Sequence, residues 1–116
     1  MMKPKFKVIG NFLDKILPSN VIGITLAPFG IYLTTNKFKN IVLKQHESIH
    51  WQQQLEMLVI PFYLWYCIEF LIKSIFTKNG YMNLSFEREA YANEKKKNYL
   101  SNRKPYAWLK YLKSNA

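Results

Sequence analysis

The sequence predicts a small α+β domain, mainly helical, in which residues 1–116 form one unit and a short β-hairpin precedes the first long helix. Three observations carry this expectation. The chain is too short for two ordinary domains. Its composition, 49% hydrophobic and 16% aromatic, suits a packed core rather than global disorder. One stretch only, VIGITLAPFGIYLT (21–34), is rich in β-branched and aromatic residues around a turn at Pro28 and Gly30, whereas most of the remainder carries helical signals.

Taken in order, residues 6–17 (FKVIGNFLDKIL) read as a short amphipathic helix or an irregular arm, closed by Pro18. The hairpin follows over 21–34, and TTNKFKN (34–40) is a polar loop. A helix starts near Ile41 and runs past Gln54. The next segment, MLVIPFYLWYCIEFLIKSIF (57–76), reads as a helix that is apolar nearly all round, with Pro61 starting or kinking it. A loop at 77–83 centres on Asn79-Gly80. Ser85 is the expected N-cap of FEREAYANEKKKNYL, whose early Glu87 and Glu89 and late Lys95–Lys97 suit the helix dipole. Pro105 opens a last short helix, YAWLKYLK.

The net charge of +10 narrows the partners. Lys3, Lys5, Lys7 and Lys15 lie at one end, and Lys95–Lys97, Arg103, Lys104, Lys110 and Lys113 at the other, around the most apolar stretch. Basic ends around an apolar middle suit a membrane surface or a hydrophobic protein partner better than a nucleic-acid groove, and no nucleic-acid motif is present. The apolar segment has about the length of a bilayer core, yet Glu69 and Lys73 interrupt it, each at a cost of roughly 2.5–3.5 kcal/mol near a helix centre. They are four residues apart and able to pair. A membrane-embedded or peripheral helix and a soluble core helix both fit. No cleavable signal peptide is expected, because Gly10, Asn11, Asp14 and Lys15 break any apolar run near the start. The single cysteine, Cys67, supports neither an internal disulfide nor a cysteine-based zinc site.

The chemistry resides in LKQHESIHWQQQLEM (43–57), which holds both histidines of the chain. His46 and His50 are one helical turn apart on one face and can point both imidazoles at one metal ion. Glu47 is rotated by about 100°, so it flanks the ion as a base rather than binding it. The H-E-x-x-H pattern is the signature of zinc hydrolases, in which two neutral imidazoles hold Zn²⁺ and the carboxylate takes a proton from water. A third protein ligand is required. With no third histidine and no second cysteine it must be a carboxylate, and the group Glu87, Glu89 and Glu94 is a more natural source than Asp14, Glu56 or Glu69.

HESIH followed by FEREAYANE resembles the gluzincins, whose first helix carries HExxH and whose second carries a glutamate ligand. It is similar to the membrane-embedded CAAX-protease-type and BlaR/MecR-type metallopeptidases, and to small uncharacterised bacterial proteins reading HE-x-IH-x-x-QQ and then NxxFEREAY. The resemblance covers roughly residues 41–95. It implies a zincin-like domain, a Zn²⁺ cofactor, His46 and His50 as ligands, and Glu47 as general base. For the third ligand two alignments compete: Ala90 on the family alanine selects Glu87, and Ala92 selects Glu89 with Asn93 as a buttress. The first is preferred. Tyr81, Arg88 and Tyr91 are available to stabilise an oxyanion. The function implied is a membrane-associated metallopeptidase of the bacterial cell envelope acting on a peptide or protein. The alternative is a non-catalytic or vestigial zinc-binding subunit of a membrane or envelope complex.

Overall fold

The computed structural model describes residues 3–8, 23–34 and 40–112. It is α+β and mainly helical. The elements are β1 (Phe6–Val8), β2 (Gly23–Leu26), β3 (Gly30–Leu33), α1 (Ile41–Glu56), α2 (Ile60–Phe76), α3 (Ser85–Asn93), α4 (Tyr99–Asn102) and a 3₁₀ turn (Ala107–Tyr111). Asp14 and most of the expected N-terminal helix or arm lie outside the described residues, as does 35–39 of the polar loop.

The hairpin has the expected place, and a third strand joins it. β2 and β3 pair antiparallel, with Ile24 opposite Tyr32. β1 lies parallel on the other side of β3, with Phe6 opposite Ile31, giving the order β1-β3-β2. The expected helix or arm from residue 6 is therefore corrected at its start. The local pattern Lys5-Phe6-Lys7 alternates, which is strand periodicity. Phe6 packs on the core of Ala27, Ile31, Leu33 and Trp51, and Lys7 lies over the Tyr32 ring. Gly30 permits this approach. Its φ is +155°, and a β-carbon there would stand 2.8 Å from the Lys5 carbonyl.

α1 opens on Asn40, whose Oδ1 accepts the Leu43 N–H at 2.9 Å. Its buried face is mostly polar: His46, Glu47, His50, Gln53 and Gln54 sit inside with Ile49 and Trp51. Gln54 docks the helix on β2, donating to the Thr25 carbonyl at 3.0 Å and accepting the Ala27 N–H at 2.9 Å. The apolar segment 57–76 is not one continuous helix. Leu58 and Val59 take positive φ values of 59° and 61°, and the chain turns so that α1 and α2 meet at 112°. Pro61 then falls in the first turn of α2, where no N–H is needed.

α2 is inverted relative to an ordinary surface helix. Phe62, Glu69 and Lys73 face inward, while Leu64, Leu71, Ile75, Phe76 and Cys67 are exposed. Glu69 accepts the Ser85 N–H at 2.5 Å, the Ser85 hydroxyl at 2.7 Å and the Trp65 indole N–H at 3.0 Å. Lys73 reaches Glu69 at 3.4 Å and donates to the carbonyls of Asn83 and Leu112 at 2.7 and 2.9 Å. The expected role of Ser85 is corrected accordingly. Leu84 is the N-cap residue of α3, and a carboxylate from another helix satisfies the first turn. α3 also stops at Asn93 rather than continuing to Leu100, and Gln45 takes the Asn93 and Lys96 carbonyls at 2.9 and 2.6 Å. Trp108 of the 3₁₀ turn closes a second core with Phe62 and Phe86. Among the described residues no single helix is long and apolar enough to cross a membrane.

Removing Glu69 leaves a buried ammonium without its counter-charge and α3 without its cap. Glu69→Ala is expected to cost about 3–5 kcal/mol of stability in a urea melt. A loss under about 1 kcal/mol would show the pair to be incidental.

Candidate metal centre

α1 and α3 face each other across a polar seam, and their packing sets the centre. His46, Glu47 and His50 are all buried and offer ligand atoms within 4.8 Å of one another. Glu87, in the first turn of α3, brings one carboxylate oxygen to each histidine: Oε1 lies 3.2 Å from His46 Nε2 and Oε2 lies 3.1 Å from His50 Nε2.

The remaining ring nitrogens decide what the inner ones present. His46 Nδ1 lies 2.7 Å from Glu94 Oε1. A carboxylate accepts, so Nδ1 donates and Nε2 of the neutral ring carries the lone pair. His50 Nδ1 likewise meets Gln53 Oε1 at 2.8 Å. Both neutral histidines therefore aim a lone pair at a carboxylate, which is two acceptors face to face. A positive charge between them removes the conflict, supplied by a proton or by a metal ion. His50 Nε2 is close enough to Glu87 for an ion pair but not aligned for a hydrogen bond, and it is buried without a hydrogen-bond partner. Two imidazoles and a carboxylate are also a donor set that divalent zinc accepts. The residues fit a metal ion.

The electrostatics agree. Burial lowers the His50 pKa, but the charge of the adjacent Glu87 carboxylate, with Glu47 and Gln53, outweighs it and pushes it up to about 10. Burial raises Glu87, but the His50 charge and the contact with His46 hold it well below the usual carboxylate range. Without a metal, the pair stores a proton where the ion would sit.

Glu89 is turned elsewhere. Arg103 donates to it through Nε at 2.5 Å and Nη2 at 3.0 Å, Tyr99 adds its hydroxyl at 2.6 Å, and Gln53 donates at 3.0 Å. Asn93 bonds the Glu89 carbonyl and the Tyr111 hydroxyl rather than a histidine. Glu47 is held from the sheet: the Thr25 hydroxyl bonds its carbonyl at 3.0 Å and its Oε1 at 2.8 Å.

Beside these groups opens a cleft of about 290 Å³. Gly23–Leu26 form one wall, Glu47, His50 and Gln54 the floor, and Phe62, Tyr63, Tyr66 and Tyr81 the other wall, with Glu87 at its edge. Burial and the Glu87 charge push the Tyr66 and Tyr81 phenols up, so both hold their protons. Of the three oxyanion candidates, Tyr81 lines the cleft. Tyr91 stacks edge-on against His46 at 4.5 Å, and Arg88 donates to the Tyr111 carbonyl at 2.7 Å. Sequence reasoning missed Gln53, Tyr66 and the partner role of Glu94. Gln53 had a signal, since it lies three residues beyond His50 on the same helical face. No protein-family model, curated protein or solved structure matches the chain.

The pKa directions set a pH window for the metal-free protein. The folded pKa of His50 lies above its ordinary 6.5, so its contribution is complete below about 6.5 and is lost as pH rises through about 10. Glu87 is depressed below 4.5, so its contribution is complete above 4.5 and is lost as pH falls through the lower folded value. Melting of the metal-stripped protein should be highest between about pH 4.5 and 6.5 and decline toward pH 10. Zinc added at pH 8 should release about one proton, read by calorimetry in buffers of different ionisation heat. A melting temperature that climbs from pH 6.5 to 10 contradicts this assignment.

Proposed function

We propose that this chain is a zinc-dependent hydrolase, a peptidase working at a membrane surface, with His46, His50 and Glu87 as the protein ligands. The observation that carries the reading is the meeting of both Nε2 atoms with the Glu87 carboxylate inside a buried pocket. Glu87 is preferred over Glu89 because Arg103 and Tyr99 already occupy the latter.

A bound Zn²⁺ would supply water with a pKa near ~7 and a polarised carbonyl. The chain supplies the rest. Glu47 stands beside the two histidines with Oε1 fixed by Thr25, which leaves Oε2 for proton transfer. It takes the proton of the attacking water and returns it to the leaving amine. Tyr66 and Tyr81 keep their protons and line the cleft, and in this reading a phenol there donates to the oxygen that gathers charge. Among the described residues β2 lies at the edge of the sheet along the cleft, and an extended peptide can lie beside it at Gly23–Ile24, ahead of the length that Gln54 covers.

Glu47→Gln is expected to retain bound zinc by elemental analysis and to lose hydrolysis of peptide substrates by at least about a hundredfold. Loss of zinc from that variant would make Glu47 a ligand, and an undiminished rate would remove it as the base. A native protein that holds no transition metal refutes the centre itself.

The membrane reading is supported by α2. Its charges are turned in and its apolar side chains out, the reverse of a helix facing water. Seventeen residues span about 25 Å, short of a bilayer core of roughly 30 Å, so the helix lies in the interface plane. Exposed Lys78 follows it, and exposed Lys104 and Lys110 flank Trp108, which packs on Trp65 of α2 at 5.3 Å. Lysines near anionic head groups contribute about 1 kcal/mol each. The protein is expected to sediment with vesicles containing anionic lipid, and Leu71→Glu with Ile75→Glu to abolish this. Failure of the parent to bind such vesicles at low salt would end the membrane reading.

A further inference from the structure

His50 is oriented by a chain of buried polar groups that the proposed hydrolysis does not itself use. Gln53 is fully buried one turn further along α1. Its amide nitrogen has two N–H groups, and both are engaged: one by the Phe86 carbonyl at 3.1 Å and one by Glu89 Oε1 at 3.0 Å. Only the amide oxygen is left for His50, whose Nδ1 is 2.8 Å away. An acceptor at that place requires the His50 proton on Nδ1, and Nε2 then keeps the lone pair that faces Glu87.

An amide by itself is ambiguous, because a flip exchanges its nitrogen and oxygen. A flipped Gln53 would point N–H groups at His50, move the ring proton to Nε2 and close that nitrogen to a metal. The Phe86 carbonyl and Glu89 together forbid the flip, since a carbonyl and a carboxylate can only accept, and Glu89 is the partner that brings a charge. Glu89 is itself fixed. It is completely buried, its Oε2 is bonded by Tyr99 and by Arg103 Nε, and its Oε1 by Arg103 Nη2. Arg103 spends its other edge on Glu56, at 2.9 and 3.1 Å. A guanidinium only donates. Polarity therefore runs one way, from the Arg103 donors to Glu89, to the Gln53 nitrogen, through the Gln53 oxygen to His50 Nδ1–H, and ends in a lone pair on Nε2.

We infer that Arg103 and Glu89 are positioning residues of the metal centre, which act through Gln53 to fix the nitrogen that His50 offers. This rests on the metal-centre reading and extends it to the C-terminal segment. α4 and Arg103 do not touch the cleft, yet they set the chemistry of one ligand.

The test uses the full chain, stripped of metal and titrated with cobalt(II), whose visible absorption reports binding. The parent binds, and in the zinc-loaded parent nitrogen NMR finds the His50 proton on Nδ1. Glu89→Gln places an amide where only an acceptor was, and Gln53→Met removes the relay while leaving Arg103 between its two carboxylates. Each is expected to weaken cobalt binding by about 10- to 100-fold, the range for groups that orient a metal-ligating histidine. The circular dichroism of the metal-free variants should stay that of the parent. If Glu89→Gln fails to fold, Gln53→Met alone decides. Parental affinity in Gln53→Met, or a His50 proton on Nε2 in the zinc-loaded parent, overturns the inference while the metal centre stands. A parent that takes up no cobalt overturns the centre and the inference together.

Discussion

The seam between α1 and α3 closes around Glu87, whose two carboxylate oxygens each face a histidine nitrogen. Two helices that bury His46, Glu47, His50, Gln53 and Gln54 cannot associate through apolar ridges alone. Each of those polar groups must find a partner or cost about 1–3 kcal/mol in lost solvation. Glu94 and Gln53 meet the outer ring nitrogens, Thr25 meets Glu47, and the β2 backbone meets Gln54. The inner nitrogens remain, and they face an acceptor. Positive charge is thus part of the fold at this point, carried by a proton on His50 or by an ion.

A polar centre leaves less room for an apolar one. Among the described residues the buried hydrophobic side chains form two small clusters, one around Trp51 and one around Phe86 and Trp108, with Ile49, Leu84 and Ala90 buried besides. Neither is large enough to absorb α2, whose leucines and isoleucines remain outside. The inversion of α2 follows from the same constraint. Its inner face must cap α3 and satisfy carbonyls of the loops around it, which Glu69 and Lys73 do and leucine would not. The apolar exterior is what remains once the interior is given to hydrogen bonding.

The elements legible in the sequence were those fixed by near neighbours. His46, Glu47 and His50 lie within five residues, so helical periodicity alone brings them together. Pro28 and Gly30 mark the hairpin because turn chemistry is local. What escaped depends on contacts distant along the chain. β1 is three residues long and exists through its pairing with β3, and the alternation at Lys5-Phe6-Lys7 is too short to separate a strand from an arm. The break at Leu58 and Val59 was hidden because neither residue type favours positive φ. Ser85 has the chemistry of an N-cap but gives its hydroxyl to a carboxylate sixteen residues earlier. The choice between Glu87 and Glu89 was open for the same reason. Both lie early in one helix, and only contacts distant along the chain distinguish them: the two histidines at Glu87, and Arg103 and Tyr99 at Glu89.

Glu47 and Glu87 are held by different elements. Both carboxylates are buried near the same histidines, and chemistry alone would let either bind an ion or accept a proton. Glu87 comes from α3 and approaches from the side to which both Nε2 atoms point, so it faces the ligand position. Glu47 comes from α1 itself, one residue beyond His46, and the helix turns it away toward the sheet. There the Thr25 hydroxyl takes Oε1, and the Gln54 bonds to β2 keep that strand in register with the helix. The hairpin therefore does more than wall the cleft. Through Thr25 it also fixes Oε1 of Glu47 beside the two histidines and in the lining of the cleft.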